Sequence, residues 1–257
     1  MMRFALSALA LLLPVTTLAQ IDDSALPAPI VALEDRGATI GETFEAPGEL
    51  TGYTVSFQGQ TLAAYVTPDR EHVLVGTLLD DDGTNLSQPI LSAAANAPRP
   101  ESEWEAISDA GWIADGSDDA ERVIYAFTDP NCPYCSRFYD QSRDWVESGD
   151  VQIRHVMVGV LREDSLGKAA TLLADDDPSA ALATHEARFD QGGVAPADPI
   201  PESTASIVEA NNQLMSRLGI RGTPSVYYRD QDGEIRLARG LPRDDRLIDV
   251  MGGARPE

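Results

Sequence analysis

The sequence predicts a mixed α and β protein in two parts: a small β-rich segment, then a helical linker leading to a larger α/β unit. Three observations predict it. Apolar and polar residues alternate through residues 53–57, 61–66 and 72–79, the period of strands with one buried face. Composition then shifts at residues 93–100, a stretch rich in Ala and Pro that breaks the pattern. Beyond it, an apolar run at 123–127, a short loop, a helical stretch to Trp145 and a second apolar run at 151–161 read as β-α-β.

Composition narrows the partners. The chain of 257 residues has 19 Lys plus Arg against 42 Asp plus Glu, a formal charge of −23. That balance excludes a sequence-independent grip on a phosphate backbone, so no nucleic-acid partner is expected. With 43% apolar and 24% charged residues, the chain belongs with folded globular proteins rather than disordered or collagen-like ones. The acid excess, beside a single lysine, Lys168, reads either as solvation in a saline habitat or as an acidic surface for basic substrates. Met1, Met2 and Arg3, the apolar run 4–13, Pro14 and then Leu18-Ala19 form a secretory signal peptide, residues 1–19, with cleavage expected between Ala19 and Gln20. That run of roughly ten residues is too short to cross a hydrocarbon core about 30 Å thick. The mature chain is therefore expected outside the cytoplasm, where disulfide chemistry is permitted.

Each part has its own signals. Residues 20–91 carry about three or four strands punctuated by Thr67-Pro68-Asp69 and Asp80-Asp81-Asp82-Gly83. So small a core gains either from pairing with a second copy or from packing on the rest of the chain. Residues 92–116 form the linker, in which 101–114 looks helical, with Trp104 and Ile107 on one face. Trp112 packs either at the junction or in an ordinary core. Residues 117–257 make the larger unit, and about 164–218 within it read as helices. Ser165 suits the cap of a helix at 166–174, Asp177-Pro178 the start of one at 179–189, and Gly219 the stop of one at 203–218. Residues 225–229 and 234–238 flank Asp230-Gln231-Asp232-Gly233 as a hairpin. A helix at 243–251 closes the chain.

The two cysteines are Cys132 and Cys135, too few for a multi-bridge scaffold or an all-cysteine zinc site. A dithiol catalyst needs one exposed sulfur as thiolate and a second close enough to resolve the mixed disulfide. C-x-x-C at a helix start supplies both. With Cys132 as N-cap and Pro133 at the first helical position no useful donor is lost, and Cys135 falls one turn along. Orphan N–H groups and the positive end of the helix then favour the Cys132 thiolate. One or two pKa units below the ordinary ~8.5 suffice, at about 1.4 kcal/mol each. Pro133 and Tyr134 tune the redox poise. A structural disulfide is the bland alternative; zinc needs two further ligands, and His72, His155 and His185 stand at no finger spacing. His155, inside an apolar strand, reads as a satisfied core histidine, and a Ser-His-Asp site has no nucleophile elbow. Gly222-Thr223-Pro224 precedes a strand, where proline is either cis or an ordinary trans turn residue. Dithiol chemistry calls for no cofactor and no metal.

Thr128-Asp129-Pro130-Asn131-Cys132-Pro133-Tyr134-Cys135 followed by Gly222-Thr223-Pro224 resembles the DsbC/DsbG family, thioredoxin-fold oxidoreductases of the bacterial periplasm. Phe44-Glu45-Ala46-Pro47 with Gly52-Tyr53, Tyr65-Val66-Thr67-Pro68-Asp69, Trp112-Ile113-Ala114-Asp115-Gly116 and Val158-Gly159-Val160 extend the similarity over nearly the whole mature chain. The resemblance implies a thioredoxin-like catalytic domain with a helical insertion at 117–257, carried by a dimerisation domain at 20–91 in a V-shaped homodimer. It makes Cys132 the nucleophile, Cys135 the resolving thiol and Pro224 a cis-proline facing them. Thr223, with Pro133 and Tyr134, then meets an extended substrate by β-augmentation. The implied substrates are folded or partly folded periplasmic proteins with disulfides to isomerise or reduce, or with cysteine sulfenic acids to reduce. A membrane reductant of the DsbD type keeps the pair reduced. A redox-independent chaperone and a DsbA-like primary oxidant are the competing functions. Two departures stand out. Thioredoxin has a buried acid six positions before its first cysteine, where this chain has Ala126, leaving Asp129 as a substitute proton carrier or a loop cap. The additional cysteine pair common in DsbC-like members is absent.

Overall fold

The computed structural model describes residues 25–57 and 60–256; the expected signal peptide lies outside the described residues. An antiparallel sheet in the order β1 (Thr39–Ala46), β2 (Leu50–Phe57), β3 (Gln60–Val66), β4 (Val73–Val75) forms first. Alternation puts Tyr53, Val55, Ala64 and Val66 on one face, where they close a small core with Ala38 and with Ile30 of helix α1 (Ala28–Glu34). Phe44 lies across Gly52, at which a Cβ would come 2.2 Å from its ring. Neither α1 nor β1 is signalled by the apolar pattern. Most of β1 is exposed, so ladder pairing with β2 rather than a buried face sets its place. The strand expected at 72–79 shrinks to Val73–Val75, because the chain leaves the sheet at Gly76 and Leu79 bridges to Asn85 around the Asp80 turn.

Helices α2 (Gln88–Ala95) and α3 (Glu101–Ser108) join the two sheets. The helix expected to reach 114 stops at Ser108. Gly111 N–H is taken by Asn211 Oδ1 at 3.2 Å, and Trp112–Asp115 becomes an edge strand, β5, antiparallel to β7 (Val151–Met157). Trp104 and Trp112 pack half-buried on the core of the second sheet.

That sheet has the order β5-β7-β6-β8-β9, with β6 (Arg122–Thr128), β8 (Ser225–Arg229) and β9 (Ile235–Arg239). β6 and β7 are parallel and the other pairs antiparallel. The central pair is buried on both faces, which is why both read as near-continuous apolar runs. Helices α4 (Pro133–Glu147) and α8 (Asp244–Met251) cover one face through Phe138, Trp145, Leu247 and Val250. Ile107 of α3 and Leu214 and Met215 of α7 (Glu202–Arg217) cover the other. β7 ends at Met157, short of the expected 161, because Val160 and Leu161 turn their N–H groups to a buried carboxylate.

Between β7 and β8 lie α5 (Ser165–Leu173), α6 (Pro178–Ala187), a 3-10 turn at Phe189–Gln191 and α7, gathered around Leu172, Leu182 and Val208. Asp177 caps α6 as the sequence implies, accepting from Ala180 N at 3.1 Å, with Pro178 in the first turn. Ser165 does not cap α5. Asp164 holds the N-cap position and the Ser165 hydroxyl is buried under the loop ahead of α4. Among the described residues no helix is long and apolar enough to cross a membrane.

Candidate active site

β6 ends at Thr128 and the chain turns through Asp129, Pro130 and Asn131 into α4. Asp129 makes that turn. Its buried Oδ1 accepts from Asn131 N at 2.9 Å and from the Ser165 hydroxyl at 2.8 Å; its Oδ2 accepts from Val160 N at 2.7 Å and Leu161 N at 2.9 Å. With its acceptor sites filled it is a loop cap and not a stand-in proton carrier. Asn131 extends the network, donating to Asp164 and Ser165 and accepting from Lys168 Nζ at 2.8 Å. His185 of α6 donates from Nε2 to the Pro130 carbonyl at 2.8 Å and accepts on Nδ1 from Val194 N at 3.1 Å. Only the neutral ring satisfies both, and burial holds its pKa below the ordinary value. A Cβ at residue 193 would lie 2.3 Å from that ring, and Gly193, at φ +66°, leaves the room.

Above this platform Cys132 is the N-cap of α4, with extended backbone, Pro133 in the first turn and the sulfur accepting from Cys135 N at 3.3 Å. The Cys132 thiol also donates to the Thr223 carbonyl at 3.2 Å. The Thr223–Pro224 peptide is cis and leads into β8. Pro224 is buried, Thr223 half-buried, and Pro133 and Tyr134 are exposed, Tyr134 at 49%. The structure thus gathers Cys132, Pro133, Tyr134, Cys135, Thr223 and Pro224 at one place. One expectation is corrected: Cys132 is only 2% exposed, because the first turn of α4 and the Thr223 carbonyl close over it.

The two thiols are made unlike by their surroundings. Cys132 is brought down to about 6, chiefly by the hydrogen bond from the Cys135 thiol, against the opposing effect of burial. The Thr223 side chain and the N–H groups of Cys135 and Tyr134 add to the lowering. The Thr223 hydroxyl is buried with no hydrogen-bond partner among the described residues, leaving it free to serve the sulfur. Cys135 is pushed well above the ordinary value, first by burial and then by the hydrogen bond to Cys132 and its charge. Such a pair offers a thiolate near neutral pH and a partner that keeps its proton until needed.

His155 is buried, bonded to the Thr128 hydroxyl at 3.0 Å and to Asp115 at 3.4 Å, a satisfied core histidine as the sequence reading has it. Burial works against ionisation of Asp115, yet hydrogen bonds from His155 and Arg143 overcome it and hold the carboxyl at about 2.

A thioredoxin-like domain family model matches residues 115–254. Over 227 residues the chain is 42% identical to thiol:disulfide interchange protein DsbG of Pseudomonas aeruginosa, covering 88% of this chain and 89% of that one. It is 36% identical to DsbG of Escherichia coli, covering 88% and 92%. The chain belongs to the DsbG family. It is accordingly a thiol:disulfide interchange protein with a thioredoxin-like fold, acting on proteins with disulfides. Among solved structures, this DsbG-family chain aligns with the catalytic domain of Proteus mirabilis ScsC at 25% identity and a TM-score of 0.47, over 59% of this chain and 93% of that one. Helicobacter pylori DsbG aligns at 17% identity and a TM-score of 0.40, over 78% and 99%.

Of the supports of this DsbG-family site, sequence reasoning offered only Asp129, as a loop cap. The Asp129–Asn131 spacing was readable as an Asx turn. Ser165, Lys168 and His185 gave no sign of their roles, since each meets the loop only through tertiary packing.

Proposed function

We propose that this protein is a periplasmic dithiol enzyme in which Cys132 attacks and Cys135 resolves, to isomerise or reduce protein disulfides or to reduce cysteine sulfenic acids. The observation that carries the reading is the asymmetry of the pair: a sulfur at about 6 capping a helix beside a buried one pushed upward. On a disulfide, the Cys132 thiolate bonds to one sulfur and expels the other as thiolate. On a sulfenic acid, it bonds to the oxidised sulfur and breaks the S–O bond, the hydroxide taking a proton from solvent to leave as water. In both cases Cys135 then displaces the substrate thiol and leaves a Cys132–Cys135 disulfide, unless a substrate thiol resolves first and completes isomerisation.

The exposed faces of Pro133 and Tyr134 and the backbone of Thr223–Pro224 offer the substrate surface, an extended segment lying along the start of β8. Regeneration needs a dithiol donor of the DsbD type, and the signal peptide reading puts the protein where such a donor works. The first sheet is the proposed dimerisation domain. Trapping with Cys135→Ala tests the reading: mixed disulfides on Cys132 are the expected result, single-cysteine partners marking sulfenic acid reduction and multi-cysteine partners isomerisation. Recovery of none overturns it. A Cys132→Ser/Cys135→Ser variant that retained full activity in vivo would make the protein a chaperone instead.

A further inference from the structure

Helix α6 brings to the first turns of α4 a carboxyl group that the thiol chemistry does not use. Glu186 is only 9% exposed, and its Oε2 is buried with no hydrogen-bond partner among the described residues. A carboxylate there has one buried oxygen with no donor, so the neutral acid is favoured. Three neighbours on α4 and its N-cap face it with a charge or a dipole. Ser136, next to Cys135, gives a stabilising hydrogen bond and Arg143 an attraction, whereas Asp140 and the Cys132 sulfur repel negative charge. Arg143 is largely committed to Asp115, which it meets through both terminal nitrogens. Tyr139 also faces the carboxyl, and His185, its neighbour on α6, is neutral and bound to Pro130 and Val194. Burial above all pushes Glu186 up to about 7.

Repulsion between two sites is mutual. A thiolate on Cys132 keeps the proton on Glu186, and a disulfide at Cys132 removes that repulsion. We propose that Glu186 is a redox-linked proton site, protonated while Cys132 is a thiolate and releasing that proton when the sulfur enters a disulfide. The idea rests on the dithiol reading above. In the full reaction the Cys132 thiolate and the Cys135 thiol become a disulfide, giving two electrons to the substrate disulfide and one proton. Glu186 gives a second proton. The two substrate thiolates take up both, so charge and atoms balance. Glu186 touches no substrate and acts only through the charge of Cys132.

The test is the pH dependence of the equilibrium between the mature protein and glutathione, for wild type, Glu186→Gln and Asp140→Asn. Just below neutrality the wild-type constant should change less steeply with pH than that of Glu186→Gln, because Glu186 supplies a proton that the variant must draw from solvent. A whole proton from Glu186 would remove a tenfold change per pH unit, which is 29.6 mV for this two-electron couple. Asp140→Asn, an exposed change that leaves the fold intact, should keep the shallow region and move it to lower pH. Reduced-minus-oxidised infrared spectra should carry a protonated-carboxyl band in wild type that Glu186→Gln lacks. Equal slopes in wild type and Glu186→Gln, or no such band in wild type, overturn the proposal. Should Glu186→Gln not fold, the wild-type band and the Asp140→Asn shift decide. A wild type with no reversible couple to glutathione would instead overturn the dithiol reading itself.

Discussion

At Cys132, neighbours outweigh burial. The sulfur is covered, which disfavours charge, yet the Cys135 thiol, the Thr223 hydroxyl and the free N–H groups at the start of α4 overcome that cost. The rate of iodoacetamide alkylation at Cys132 should therefore rise with pH through an inflection near 6, well under the ordinary thiol. Cys135→Ala should move the inflection up most, because it removes the largest contribution, and Thr223→Val should move it less. Thiolate also stabilises the reduced fold. For an acid whose pKa is lowered by folding, the gain is complete above the unfolded value, near 8.5, and disappears as pH falls through about 6. Each unit of depression corresponds to about 1.4 kcal/mol. Urea midpoints of reduced wild type and Cys132→Ala should thus diverge as pH rises from 6 toward 8.5, in favour of wild type; parallel curves would contradict the charged N-cap.

Among the elements, the loop ahead of α4 depends on one carboxylate. Asp129→Ala would leave the N–H groups of Asn131, Val160 and Leu161 without their acceptor, and a buried unsatisfied donor costs about 1–3 kcal/mol. A loss of roughly 3 kcal/mol or more in urea unfolding is expected, with slower Cys132 alkylation as the first turn of α4 loses its anchor. A loss under ~1 kcal/mol would mean that the loop holds itself. The same elements define what was legible in the sequence. Cys132-Pro133-Tyr134-Cys135 could be read because N-cap geometry is local, decided within one turn. β6 and β7 could be read because burial on both faces leaves an unbroken apolar run. β1 could not, since an exposed strand carries no alternation, and the four residues Trp112–Asp115 are too short to signal an edge strand against a preceding helix. Glu186 and His185 were silent for another reason: on α6 they are ordinary helix residues until the helical insertion docks on the loop and gives one an orphan oxygen and the other a carbonyl to hold.

Across the whole molecule, the two sheets differ in self-sufficiency. The second is covered by helices on both faces, whereas the first closes over a core of only Ile30, Ala38, Tyr53, Val55, Ala64 and Val66, small for independent stability. It also has two open edges of different character. β1 carries Glu42 and Glu45, charges that guard an edge against pairing, but β4 is Val73-Leu74-Val75, with Leu74 58% and Val75 47% exposed. We propose a homodimer joined through β4, in which two-fold symmetry doubles every contact. Leu74→Asp/Val75→Lys then removes four apolar side chains from the interface at about 1.5 kcal/mol or more each, weakening the dimer roughly ten-thousandfold or beyond. Charge adds a second signature. Two copies of a chain at −23 repel one another, and salt screens that repulsion over a Debye length of about 10 Å at 0.1 M, so added salt should tighten the dimer where an ion-paired interface would loosen. Sedimentation equilibrium of wild type and the double variant, at low and high salt, checks both. A monomeric wild type, or a variant that dimerises undiminished, would move the interface away from β4 while leaving the Cys132 inflection untouched, because the thiol site draws none of its groups from the first sheet.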